Sequence, residues 1–447
     1  MIMISQAPRQ LGMVLCTLLA GASLAGAAHA AGYREKLAFS FNGKDGGVPN
    51  AGLIADASGN LYGTTSYNGG VHGYGNVYEL TRTKGGWKET DLYDFTGGAD
   101  GAWPLDSLVF DAAGNLYGTA ESGGQGQCVK GSQQWFGCGV VFELSPSGGA
   151  WQEKVLFSFV PGQVKGIIPV GGLVFDGSGN LYGTTWAPGV DGGPRHSRRS
   201  GRVNPGTYWG CSDPGCGGTV FELSPTQNGW QEQDIYAFTG TSDGGVSQAN
   251  LVFDAAGNLY GTTVYGGNSG CVGDYGCGVV FELSPGKNGW GESVLHAFSG
   301  SDGANPQGSL TFDGNGNVYS TTEAGGASGD GTVFELLAGK HGWTENLLHS
   351  FTGTDGANPF AGVIIDAHGN LFGTTNQGGN GQYADGTAFE LSPSKHAWKE
   401  TLLHTFAYPD AQVPAAPLLA LPKGRYIGTA QGGGNYNFGA VFELGPK

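Results

Sequence analysis

Apolar residues along this chain come in short bursts of four to nine, rich in β-branched and aromatic side chains, separated by clusters of Gly, Asp, Asn, Ser and Pro. Bursts of that length bounded by turn residues predict strands, because an amphipathic helix needs ten or more residues at a 3.6-residue period. Beyond the first thirty residues, helical periodicity is hard to find. The bursts are also copies of one another. The segment GNLYGT followed by Thr or Ala begins at Gly59, Gly114, Gly179 and Gly257, and weaker copies begin at Gly316 (GNVYSTT), Gly369 (GNLFGTT) and Gly424 (GRYIGTA).

Three further elements recur around each copy. A run such as LVFD precedes it, beginning at Leu53, Leu108, Leu173, Leu251, Leu310 and Val363. A V-F/Y-E-L run follows, with its Glu at Glu79, Glu143, Glu222, Glu282, Glu335, Glu390 and Glu443. A W-x-E run then starts at Trp87, Trp151, Trp230, Trp290, Trp343 and Trp398. The Asp-x-x-Gly-Asn link, as in Asp111–Asn115, lets Asp accept nearby backbone amides while Gly takes positive φ, which predicts a hairpin. Four antiparallel strands per repeat, repeated seven times, predict an all-β seven-bladed β-propeller, since each blade then buries both faces and few sheet edges stay open.

The ends of the repeat array are complementary. Tyr33 to Phe41 reads as a seventh W-x-E strand with no preceding three, and the last copy, through Val441–Leu444, has no W-x-E strand after it. The N-terminal strand is therefore expected to complete the last blade and clasp the ring. The predicted organisation is a signal peptide over residues 1–30 and one propeller domain over 31–447.

These motifs resemble the bacterial choice-of-anchor tandem-repeat GloVer-containing proteins, over essentially all of residues 33–444. The resemblance implies an exported repeat protein with no settled biochemical activity, often attached to the cell surface by a C-terminal anchor. Here the chain stops at Pro446-Lys447, just past the last strand, so secretion or periplasmic residence without an anchor is expected.

Composition narrows the picture further. Gly occupies 87 positions with no Gly-X-Y period, which excludes collagen and suits a turn-rich fold. A net charge of −16 argues against nucleic acid as the partner. The apolar run from Leu11 to about Ala25, after Arg9 and before Ala28-His29-Ala30, has the form of a signal peptide cleaved near Ala30. No later stretch is apolar enough to span a membrane, and a monomer is expected.

Residues repeated in every copy are best explained by blade construction, so both recurrent Glu positions are read as structural, with satisfied hydrogen bonds. His296, His349 and His404 share a position with Tyr93, Phe157 and Tyr236 and are read as packing residues. Asp45, Asp100, Asp243, Asp302 and Asp355 sit in recurrent Asp-Gly loops and are read as Asx-turns; neither a metal nor a cofactor is predicted, the carboxylate spacing being too sparse for a calcium loop.

Copy-specific insertions carry the functional signal. Three adjacent repeats have extra residues between GTT/GTA and VFEL, each with two cysteines: Cys128 with Cys138, Cys211 with Cys216, and Cys271 with Cys277. Local disulfides are expected in an exported chain. Strand alternation puts these insertions on the same rim as the Asp-Gly loops. Candidate ligand-binding residues there are Trp135, Phe136, Trp186, Arg195, Arg198, Arg199, Tyr208, Trp209 and Tyr275, through aromatic stacking and Arg pairing with carboxylate or phosphate. No catalytic motif is present. The expected role is a non-enzymatic binding or scaffold protein for a polysaccharide, cell-envelope component or protein. The alternative is a carbohydrate-active hydrolase or lyase with its site on the loop rim.

Overall fold

The computed structural model describes residues 32–126, 128–130, 133–134, 137–188, 217–267, 270–271, 275–380, 385–395 and 397–447. They form a seven-bladed β-propeller of four-stranded antiparallel blades, numbered here from the blade that begins at Ile54. Blade 2 is typical: Val109–Phe110, Leu116–Ala120, Val140–Ser147 and Ala150–Ser158 follow from the channel outwards. In blades 1 to 6 the inner hairpin turn is built as the motif requires, as where Asp111 Oδ1 accepts the amides of Ala113 and Asn115 at 2.8 and 2.9 Å; blade 7 turns through Pro422-Lys423-Gly424 without such an Asp.

Blade 7 joins the two ends of the ring. Tyr33–Ser40 pairs antiparallel with Ala440–Pro446, from Tyr33 opposite Pro446 to Ser40 opposite Ala440. The Lys447 amide donates to the Gly32 carbonyl at 2.7 Å.

Adjacent blades are held by a repeated aromatic contact. The Phe that ends each outer strand packs edge-on against the Phe or Tyr of the next blade's third strand, as Phe95 does on Phe142 (5.1 Å between centroids). The same contact carries the ring through blade 7, with Phe406 on Phe442 and Phe41 on Tyr78. These rings are essentially fully buried. The Gly of the GNLYGT motif makes room for them: a Cβ on Gly118 would lie 2.6 Å from the Phe142 ring.

Two features depart from the sequence expectation. The innermost strands hold only two residues in blades 1 to 6, shorter than the four of LVFD, because the preceding segment spends its backbone bonds on crossing to the next blade. Each third and fourth strand pair also carries a β-bulge, as between Val141 and Phe142 opposite Phe157 and Val155. A bulge shifts the later side chains to the other face, and no residue type announces it.

The crossing segments are strained in the same way seven times. Val48, Trp103, Ile168, Val246, Asn305, Asn358 and Val413 all have φ between 53° and 65°, a region costly for β-branched residues. In return, each of their amides donates to a carbonyl of the preceding blade, for example Val48 to Phe438 at 2.8 Å and Trp103 to Tyr74 at 2.9 Å. Asn305 and Asn358 add a side-chain bond to the carbonyls of Val264 and Glu323 at 2.9 and 3.1 Å. Val48→Asn is therefore expected to stabilise the fold by about 1 kcal/mol, since Asn tolerates this backbone and gains that bond; a melting temperature equal to or below wild type would contradict the strain argument.

The recurrent glutamates divide into two kinds. Those of VFEL are satisfied: Glu143, Glu222, Glu282 and Glu390 each accept a Ser hydroxyl at 2.8 to 2.9 Å. Those of W-x-E are not, which corrects the expectation of satisfied bonds. In Glu35, Glu89, Glu153, Glu232, Glu292, Glu345 and Glu400, Oε1 is buried with no hydrogen-bond partner among the described residues. The cause is tertiary, because each faces the loop of the preceding blade across the outer seam. There Glu153 meets Asp100, Glu292 meets Asp243, Glu345 meets Asp302 and Glu35 meets Asp410. Burial first, and the facing aspartate second, raise these four carboxyls to about 7. Where blade 2 has no such Asp, Lys165 occupies the seam and partly offsets the effects of burial and Asp234 on Glu232.

The loop aspartates and the histidines behave largely as read. Asp355 Oδ1 accepts the Thr352 amide at 2.8 Å and the Thr352 hydroxyl at 3.0 Å. His296, His349 and His404 pack edge-on against Phe298, Phe351 and Phe406, and the first two also reach Asp302 and Asp355 at 3.1 Å.

Candidate functional site at the channel mouth

The seven crossing segments and the ends of the seven second strands converge on one rim of the central channel. Bridges such as Ala102 with Ser122 and Ala304 with Ala324 pair them there, so the Asp-Gly loops share this rim with the described parts of the insertions around Cys128–Cys138 and Cys271–Cys277. At this mouth lies a cavity of about 1130 Å³.

Two positions of the repeat build its wall. One follows the crossing-segment Pro or, in blade 4, Ser247: Asn50, Leu105, Val170, Gln248, Gln307, Phe360 and Ala415, all of which line the cavity. The other follows GTT, GTA or, in blade 5, STT: Glu121, Trp186, Val264, Glu323, Asn376 and Gln431 line it, and Ser66 is the seventh residue of that ring. The neighbouring GTT and VFEL residues hardly change between copies, while these two positions differ in almost every blade. Blade packing fixes the former; the channel places no packing demand on the latter.

The wall is uneven. On blades 3 and 4, Trp186, Val246 and Val264 pack with Ile168, Val170 and Tyr265 into an apolar lip, extended by Tyr275, whose ring lies 6.0 Å from Tyr265. Blade 5 is polar: the Gln307 side-chain amide donates to Glu323, whose carboxyl burial raises above the usual range. Asp106 is unique in its position, where other blades carry Ala51, Gly171, Ala249, Gly308, Ala361 and Ala416. Burial raises its carboxyl to about 6, against hydrogen bonds from the amides of Ser107 and Gly172 and from Asn250.

Residues 27–197 and 272–447 match the family model described as the Gloeobacter/Verrucomicrobia repeat. The chain belongs to this family. No curated protein matches it. Among solved structures, this Gloeobacter/Verrucomicrobia repeat protein is similar to a candidate 6-phosphogluconolactonase from Bacteroides uniformis (12% identity, 84% of this chain and 92% of that chain covered, TM-score 0.47). It is also similar to a gluconolactonase from Xanthomonas campestris (12%, 93% and 90%, TM-score 0.42) and a protein of unknown function from Dyadobacter fermentans (11%, 93% and 100%, TM-score 0.43).

Of the residues singled out from sequence, Trp186 and Tyr275 line the cavity of this Gloeobacter/Verrucomicrobia repeat protein. Trp135, Phe136, Arg195, Arg198, Arg199, Tyr208, Trp209, Cys211 and Cys216 lie outside the described residues, as do residues 1–30, where a signal peptide is expected. The disulfides Cys128–Cys138 and Cys271–Cys277 are formed. Sequence reading missed Asp106, Gln248, Asn250, Gln307, Glu323 and Asn376. The available signal was variation between copies at a fixed motif offset, outside the insertions.

Proposed function

We propose that this is an exported, non-enzymatic binding propeller whose channel mouth takes a carbohydrate chain. The observation that supports it most is the pair of copy-varied rings, which gather amides, carboxylates and aromatic rings around one cavity. Amide and carboxylate groups match sugar hydroxyls in hydrogen bonding, and ring faces stack on apolar sugar faces. Export is supported by the two disulfides, which persist in oxidising compartments. Among the described residues no helix is long and apolar enough to cross a membrane.

The test is calorimetric titration of residues 32–447 with a panel of polysaccharides and their oligosaccharides, beside Gln248→Ala/Gln307→Ala. Loss of two hydrogen bonds should weaken binding about 10-fold with circular dichroism unchanged. Undiminished binding by the double variant, or no carbohydrate ligand at all, would remove the reading. Asp106, with its raised carboxyl beside the mouth, favours the hydrolase or lyase alternative; product release that Asp106→Asn abolishes would replace binding with catalysis.

A further inference from the structure

The seam between blades 6 and 7 differs from its sister seams in a way that has chemical consequences. In blade 5, Asp355 is fully engaged, with Oδ1 on the Thr352 amide and hydroxyl and Oδ2 on His349. In blade 6 the equivalent loop reads Phe406-Ala407-Tyr408-Pro409-Asp410, and Ala407 has no hydroxyl to give. The contact from His404 Nε2 to Asp410 Oδ2 opens to 3.7 Å. Across the seam, Oε1 of Glu35 is buried and accepts no hydrogen bond among the described residues. One donor atom from each of Glu35, His404 and Asp410 then lies within 4.8 Å of the others.

We infer that Glu35, His404 and Asp410 form a site for a divalent transition-metal ion that staples the N-terminal strand to blade 6. One imidazole and two carboxylates are a donor set for zinc or manganese rather than calcium, which takes oxygen ligands alone. The three donor atoms, already within 4.8 Å of one another, would draw together around the ion. Two carboxylates facing each other across a partly buried seam repel, and a cation between them removes that repulsion. Because Glu35 belongs to the strand that closes the ring and the other two ligands belong to blade 6, the ion would tie down the seam where the chain's first strand is laid. This site is independent of the channel mouth.

The experiment uses residues 32–447 freed of metal by chelator, titrated with Zn²⁺ at pH 7.5 by calorimetry, with Co²⁺ visible absorption as a second readout of coordination. One equivalent of Zn²⁺ is expected to bind, raise the melting temperature, and give way to chelator. His404→Asn and Glu35→Gln should each weaken binding at least about 50-fold, while His349→Asn at the sister seam leaves it unchanged. Circular dichroism of the metal-free variants shows whether each has folded, and Asp410→Asn supplies a third ligand variant. Absence of a one-equivalent Zn²⁺ site, or equal loss in His349→Asn, would overturn the assignment.

Discussion

Removal of residues 32–41 is expected to abolish cooperative folding of the entire ring, although the deleted strand is under a tenth of the chain. The strand takes with it Phe41, fully buried against Tyr78, Phe39, partly buried between blades 7 and 1, and Leu37, partly buried between blades 6 and 7. One fully buried and two partly buried side chains are worth roughly 3 to 6 kcal/mol, a large share of the total stability of many domains, about 5 to 15 kcal/mol. The deletion also bares the Ala440–Pro446 edge, a template for pairing between molecules. Thermal unfolding should show no sharp transition, and a peptide of residues 32–42 added in trans should restore one. A circular permutant that joins Lys447 to Gly32 and opens at Lys340–His341 keeps every pairing and should melt within a few degrees of the parent. A truncated chain that melts cooperatively at the parental temperature would refute the clasp.

The second large effect is on pH. The molecule is expected to be most stable near pH 5 and to weaken as the pH rises through 7. The W-x-E glutamates bind protons more tightly folded than unfolded, Glu89 to about 8 through burial, Asp91 and Asp45, and Glu35, Glu153, Glu232, Glu292 and Glu345 to about 7. Between the ordinary carboxylate range and those values the folded state holds the extra protons, so stability falls with rising pH. At the acid end the hairpin aspartates work oppositely. Although burial opposes it, the hydrogen bonds from Asn115, Ala113 and Tyr117 hold Asp111 below its usual value, and Asp176, Asp254, Asp313 and Asp366 have analogous turns. Their contribution is lost as pH falls through those lowered values. His296, which burial lowers despite Asp302, takes away a little stability as pH falls below 6.5.

The seam groups are partly exposed, so solvent screening tempers each effect. A melting temperature about 5 °C lower at pH 8.5 than at pH 5, measured in chelator, is the expected sum. Glu153→Gln should recover part of the loss at pH 8.5 and change nothing at pH 5. Lys165→Ala should steepen the alkaline loss, because it uncovers Glu232. A flat profile in Glu153→Gln and wild type alike would show that the seam carboxylates do not carry the effect.

How much of this was legible in the sequence differs by layer. The strands, hairpins, blade count and N-terminal clasp follow from local rules that repeat seven times: alternation, Asp-x-x-Gly-Asn turns, and a strand missing at one end that appears at the other. Repetition made each weak signal strong, and the Cys128–Cys138 and Cys271–Cys277 bridges were readable because each pair sits in one short insertion. The channel wall is hidden by the same repetition, since the insertions stand out as whole added segments while Gln307, Glu323 and Asp106 differ from their counterparts at single positions. The unpartnered Glu153 was invisible because its neighbour, Asp100, belongs to another blade. The sequence by itself determined the blade, because a blade is held by bonds between residues near in the chain. Only the tertiary structure decided the chemistry of the seams and the channel, because those sites form where one copy meets the next.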